Sequence, residues 1–153
     1  MLLTRRQALF AGVGAVAAAG ALGRVAVSPA QAAADDYMAE IMAFTEGREP
    51  TMGRVMLDVP EIAENGNTVP MTVTVDSPMT EEDHVVEVLV VADGNPRPGV
   101  AKFAFTPMSG IALANTRIRL ANTQDVIAVA KMSDGSVFMD RKEVKVTIGG
   151  CGG

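Results

Sequence analysis

The single cysteine of this 153-residue chain, Cys151, stands in the run Gly149-Gly150-Cys151-Gly152-Gly153 at the C-terminal end. Glycine has no Cβ and samples both signs of φ, so the run predicts a loose arm with a thiol near its tip. A cysteine kept for packing sits among apolar neighbours, and this one has none in sequence, which leaves reactivity as its useful property. A nucleophilic cysteine needs a depressed pKa from a nearby histidine, lysine, arginine or helix N-terminus. The arm supplies none of these. The terminal carboxylate at Gly153 opposes ionisation, and the nearest basic side chain in sequence, Lys145, is six positions away. Cys151 therefore reads as a covalent attachment point that other proteins act upon, with Gly149, Gly150, Gly152 and Gly153 giving it mobility, and with no catalytic residue, metal or cofactor of its own.

Other reactive residues are better explained by structure. A cut near Ala32 would leave nine methionines together with His84, and methionine clusters can bind copper. These methionines fall one at a time across the expected helix and strands, the pattern of core filling. A blue-copper site needs two histidines, and the chain has one. Glu81-Glu82-Asp83 before His84 is an exposed acidic loop in the first instance, and Asp93-Gly94 and Asp134-Gly135 are turns before they are ligands. No nucleophile elbow, phosphate loop or zinc spacing occurs.

The N-terminus indicates where the thiol works. Arg5-Arg6 precedes sixteen residues, Ala8 to Gly23, without a charge or polar side chain, too short and too weakly apolar to span a membrane. Ser28-Pro29 and the small-x-small sequence Ala30-Gln31-Ala32 follow, so residues 1–32 are expected to be a twin-arginine signal that exports a folded protein to the periplasm. The remaining chain would hold all 18 acidic residues against ten basic ones, a net charge of about −8. Such a surface repels nucleic acid and anionic lipid, so neither is an expected partner. One cysteine in an oxidising compartment makes no internal disulfide, and the fold must stand on its core.

Residues 33–148 are expected to form one domain that carries the arm. Asp35 and Asp36 are placed to cap a helix over residues 37–44, with Met38, Ile41, Met42 and Thr45 on one stripe and Gly47 as the stop. Period-two segments then recur at 54–58, 68–75, 84–91, 100–105, 114–120, 125–131, 136–140 and 144–148, the run at 84–91 apolar enough to be central. This pattern, without βαβ alternation, predicts an all-β, immunoglobulin-like antiparallel sandwich behind a short N-terminal helix. Val85 to Val91 is apolar on both parities, and this predicts an apolar face that the chain's own core leaves uncovered and an extensive interface with a second β-domain. From Ile148 the arm reaches roughly 10 Å to Cys151 at full extension.

The terminal run Val144 to Gly153 resembles the C-terminus of the SoxY family, sulfur-carrier subunits of bacterial sulfur oxidation. Gly53-Arg54-Val55, Pro60 to Gly66, Val69 to Val73 and the twin-arginine signal resemble that family too. The resemblance implies a sulfur carrier bound in a heterodimer with SoxZ and holding sulfur intermediates covalently on Cys151. It also implies transient contacts with the SoxAX cytochrome, which would attach thiosulfate oxidatively, with SoxB, which would hydrolyse off sulfate, and with SoxCD as a further candidate. The residues alone leave a second possibility, an interaction module whose tail cysteine makes only an intermolecular disulfide.

Overall fold

The computed structural model describes residues 29–150, so the expected signal as far as residue 28 and the last three residues, Cys151, Gly152 and Gly153, lie outside the described residues. Helix α1, Pro29–Thr45, is followed by strands β1 Thr51–Met52, β2 Val55–Asp58, β3 Ile62–Asn65, β4 Val69–Val75, β5 Val85–Ala92, β6 Gly99–Ala104, β7 Ala112–Ile118, β8 Gln124–Met132 and β9 Val137–Ile148. They form two packed sheets. The larger runs β1-β9-β8-β5-β6, with β3 also on β9, and the smaller is β2-β4-β7.

In the small sheet the two-residue period divides core from surface. Val69, Met71, Val73 and Val75 of β4 are buried and alternate with exposed or half-buried Pro70, Thr72 and Thr74. Pro70 is tolerated because β2 pairs only with Thr72–Val75, which leaves β4 an open edge at the proline. Across the sandwich Val88, Val90 and Ala92 of β5 and Val126, Ala128 and Ala130 of β8 close the same core.

The residues of opposite parity, Leu89, Val91, Ile127 and Val129, are buried under α1 by Ile41 and Phe44, with Tyr37 half-buried beside them. This corrects the expectation drawn from the doubly apolar β5. Its outer face is covered by a helix of the same chain, so that face gives no argument for a partner. The helix itself differs from expectation in two ways. It begins at Pro29, so residues 35 and 36 are interior helix positions and not its N-terminal cap. Its buried stripe is Tyr37, Ile41 and Phe44, the i, i+4, i+7 set that the sheet selects, while Met38 and Met42 are exposed. Gly47 does end it: Glu46 and Gly47 turn left-handed at φ 57° and 79°, and the Gly47 N–H donates to the Met42 carbonyl at 2.9 Å.

The remaining differences lie at the last strand. The two segments expected at 136–140 and 144–148 are one twelve-residue strand, because β8 pairs with it from Val137 to Val144 and carries the exposed charged residues Arg141, Lys142 and Glu143 through the ladder. Strands β1 and β3, too short to show a period, pair with β9 in parallel, at Thr51 with Phe138 and at Ile62 with Lys145.

The docking of α1 rests on Phe44, 8% exposed, with Lys102 and Lys131 amines 5.5 and 5.1 Å from its ring centre. Phe44→Ala is expected to lower stability by about 3 kcal/mol in urea unfolding, through lost burial and a cavity over Leu89 and Ile127. A loss below about 1 kcal/mol, the scale of an ordinary surface change, would show that the helix is not what covers the sheet.

Candidate functional site

The segment that leads to Cys151 is fixed by backbone contacts to its last described residue. β8 ends at Gln124 opposite Val144, so beyond that point β9 has lost one ladder neighbour. β3 still pairs with the opposite edge, and loop groups take up the edge that β8 leaves. The Lys145 N–H donates to the Glu61 carbonyl at 2.9 Å, and the Val146 N–H to the Thr123 hydroxyl at 3.0 Å. The Gly66 N–H then donates to the Ile148 carbonyl (2.7 Å), the Leu120 N–H to the Gly66 carbonyl (2.8 Å), and the Gly150 N–H to the Leu120 carbonyl (2.8 Å). Three chain segments are thus tied in a ring: the β3–β4 turn, the β7–β8 loop and the tail root.

Glycine is required here for closeness. A Cβ on Gly66 would collide with the Leu120 carbonyl oxygen, one on Gly149 with that of Ala121, and one on Gly150 would lie 2.8 Å from that of Gly66. Gly66 and Gly150 are buried. The sequence predicts mobility from Gly149 onward. Gly149 and Gly150 are instead seated in this junction, and the rest of the arm, Cys151, Gly152 and Gly153, lies outside the described residues.

The β7–β8 loop can hold the tail because two buried amides hold the loop. Asn95, 3% exposed, donates from Nδ2 to the Arg119 carbonyl, and its Oδ1 accepts from the Ala121 N–H and from Gln124 Nε2, each at 2.9 Å. Gln124, 6% exposed, donates also to the Asn122 carbonyl at 3.0 Å and accepts from the Gly94 N–H at 2.8 Å. Every polar atom of the pair is placed against a partner, which removes the cost of burying amides. The 93–99 segment, expected as a turn, is therefore also the support of the tail root. Arg141 of β9 braces it from outside through Asp93 at 3.3 Å and through Asp125. Burial works against the Arg141 charge, but the hydrogen bond and charge of Asp125 outweigh it and its pKa is raised.

The other candidates are structural. His84 donates from Nδ1 to the Thr80 carbonyl at 2.9 Å and lies beyond the far end of β8 from the tail root, roughly 25 Å along the strand. Of the acidic run, Asp83 pairs with Arg54 at 3.0 Å. Core filling describes Met71, Met79 and Met132, with Met139 at the edge of the helix interface; Met38, Met42, Met52, Met56 and Met108 are exposed, contrary to expectation. Among the described residues no three histidine, cysteine, aspartate or glutamate side chains are grouped as a metal site.

A two-sheet sandwich whose final strand delivers a cysteine-bearing tail from a fixed root defines the class, a β-domain built to present its C-terminus. The family model of the sulfur oxidation protein SoxY matches residues 41–151, and the chain belongs to that family. It is similar to the sulfur carrier protein SoxY from Chlorobium limicola f thiosulfatophilum, 30% identical over 75% of this chain and 99% of that one, with a TM-score of 0.61. Superoxide reductases from Ignicoccus hospitalis (17% identity, 61% of this chain and 80% of that one, TM-score 0.55) and Nanoarchaeum equitans (13%, 62% and 99%, 0.53) share the fold, and the likeness extends no further. No curated protein matches. The all-β sandwich and the family resemblance drawn from the tail are borne out by these matches, and the family is one of sulfur oxidation.

Gly66, Asn95 and Gln124 were not picked out as tail supports by sequence reasoning; the Asn65-Gly66 dipeptide was the available signal, and it marks a turn without indicating what that turn touches. Gly66→Ala is expected to cost about 1–3 kcal/mol, the range for overpacking a tight site, and to speed hydrogen exchange at the Gly150 amide. Unchanged exchange at Gly150 would show that the ring of backbone bonds does not hold the tail.

Proposed function

We propose that the protein is a periplasmic, non-catalytic carrier of sulfur intermediates in sulfur oxidation, with Cys151 as the covalent attachment point. One observation carries the proposal most directly. The chain is held rigidly to Gly150, and the only thiol of the sequence is the next residue. A root fixed by backbone hydrogen bonds sets where the thiol leaves the domain, and the flanking glycines Gly152 and Gly153 keep its far side narrow enough to enter a cleft on an enzyme. In this scheme the thiol and thiosulfate together give up two electrons to a partner oxidoreductase, and the thiol its proton, as an S–S bond forms between them; water then cleaves the bond to the sulfonate sulfur on a second partner, which releases sulfate and leaves the sulfane sulfur on the chain. The partners are SoxZ in a stable heterodimer, with SoxAX, SoxB and SoxCD as visitors to the tail, and residues 1–32 are the export signal.

Cys151 lies outside the described residues and the junction ends at Gly150, so none of the packing of the described domain involves its sulfur. Cys151→Ser is expected to leave the unfolding midpoint within the range of a surface substitution while abolishing thiosulfate-dependent turnover in a reconstituted system. Retained turnover in that variant would refute the carrier function. A stable reducible dimer of the wild type, with no sulfur adduct in turnover, would favour a tail that serves only as an interchain disulfide.

A further inference from the structure

Five cationic side chains of the described domain, Arg48, Arg54, Lys102, Lys131 and Arg141, lie within 4 Å of a carboxylate. Arg97, Arg117 and Arg119 have no such ion pair among the described residues, and all three line one cleft of about 330 Å³. Its other walls come from Asn95, Thr116 and residues near the start of β6, and no aspartate or glutamate is among its lining residues. Arg117 makes one long hydrogen bond, to the Thr68 hydroxyl at 3.4 Å. Arg97, Arg117 and Arg119 are all exposed, on a chain whose net charge is −5.

Three arginines lining a cleft without a carboxylate give it a positive potential, which favours an anion there. Guanidinium is suited to this, because its planar fork of N–H donors matches two oxygens of an oxyanion and never loses its charge. Oxidised sulfur at neutral pH is anionic and offers a face of three oxygens in sulfate, thiosulfate and S-sulfonates alike. We propose that the Arg97–Arg117–Arg119 cleft binds a sulfur oxyanion of this sulfate or sulfonate type.

The assignment to sulfur rests on the proposed carrier function, while the anion site rests on the arginines. The cleft also adjoins the tail root. Arg119 is followed by Leu120, whose carbonyl accepts the Gly150 N–H, and Asn95, on the cleft wall, holds the Arg119 carbonyl and the Ala121 N–H. An oxyanion bound there lies beside the segment that leads to Cys151. It has two possible sources, the free anion or the group carried on the tail, and both present the same three oxygens.

The test is a titration of the full exported chain carrying Cys151→Ser, which separates binding from thiol chemistry. Thiosulfate or sulfate is added at constant ionic strength, balanced with chloride, and read by amide chemical shifts. Saturable shifts at residues 97, 117 and 119 are expected with either oxyanion. Affinity is expected to fall at least tenfold in R97Q/R117Q/R119Q and partially in R97Q alone, which guards against a fold defect in the triple variant. A linear response, the same response to chloride, or equal affinity in the triple variant would overturn the site. Binding of a glutamate-rich peptide without either small anion would also overturn it, in favour of a protein-docking surface.

A second arm uses wild type loaded as the Cys151 S-sulfonate. Shifts at the three arginines without free anion, and exclusion of added sulfate, identify the tail as the source; an unaltered sulfate titration identifies the free anion. Sulfate binding beside an inert Cys151 would preserve the site and remove the carrier function, and the reverse would remove the site alone.

Discussion

The close approach of three backbones at Gly66, Leu120 and Gly150 is the constraint on which the rest of the molecule bears. A strand that loses its ladder partner ordinarily frays, and β9 loses β8 at Val144, four residues before its end. Here Thr123 and Leu120 stand in for the missing neighbour, while Glu61 and Gly66 continue the pairing with β3 on the opposite edge. Such a seam closes only where side chains are absent, which places glycine at 66, 149 and 150. The sandwich holds β9, the two amides Asn95 and Gln124 hold the loop, and the loop holds the tail. The helix seals the outer side of β5 and β8 so that this framework has a covered second face.

For the proposed carrier function, what matters is that the backbone is fixed as far as Gly150. A tail that is mobile over its whole length explores a large volume and presents its thiol to a given enzyme only a small part of the time. A tail rooted at Gly150 keeps the thiol within a residue of a fixed point, which raises its effective concentration at any partner docked beside the root. The cost is steric: any enzyme that reaches Cys151 must approach the end of the sandwich formed by the β3–β4 and β7–β8 connections. The same end carries the arginine cleft, so the surface beside the tail is locally basic on an acidic chain.

The sequence made much of this legible, and the failures have physical causes. β4 and β5 were readable because one alternates and the other, apart from Glu87, is apolar on both parities, patterns that burial on one or two faces imposes. The doubly apolar β5 was correctly central, yet periodicity does not say what covers a second face; Phe44 and Ile41 of the chain's own helix do so. Strands β1 and β3 hold two and four residues, too few for a period, and exist because β9 offers an edge. At the tail, composition pointed to a lone cysteine among glycines, but glycine permits both mobility and close packing. Only the position of the Ala121 and Leu120 carbonyls distinguishes them, and those depend on Asn95, 26 residues before Ala121 in sequence.

The central claim is that Cys151 carries sulfur as a covalent load, and intact mass of the protein taken from cells oxidising a reduced sulfur compound tests it most directly. The account predicts a ladder of reductant-labile additions, each mapped to the C-terminal peptide and composed of sulfur or sulfur with oxygen, which collapses to the unmodified mass after reduction. A single mass equal to the bare chain before and after reductant, or twice that mass from a disulfide dimer with nothing added, would contradict it.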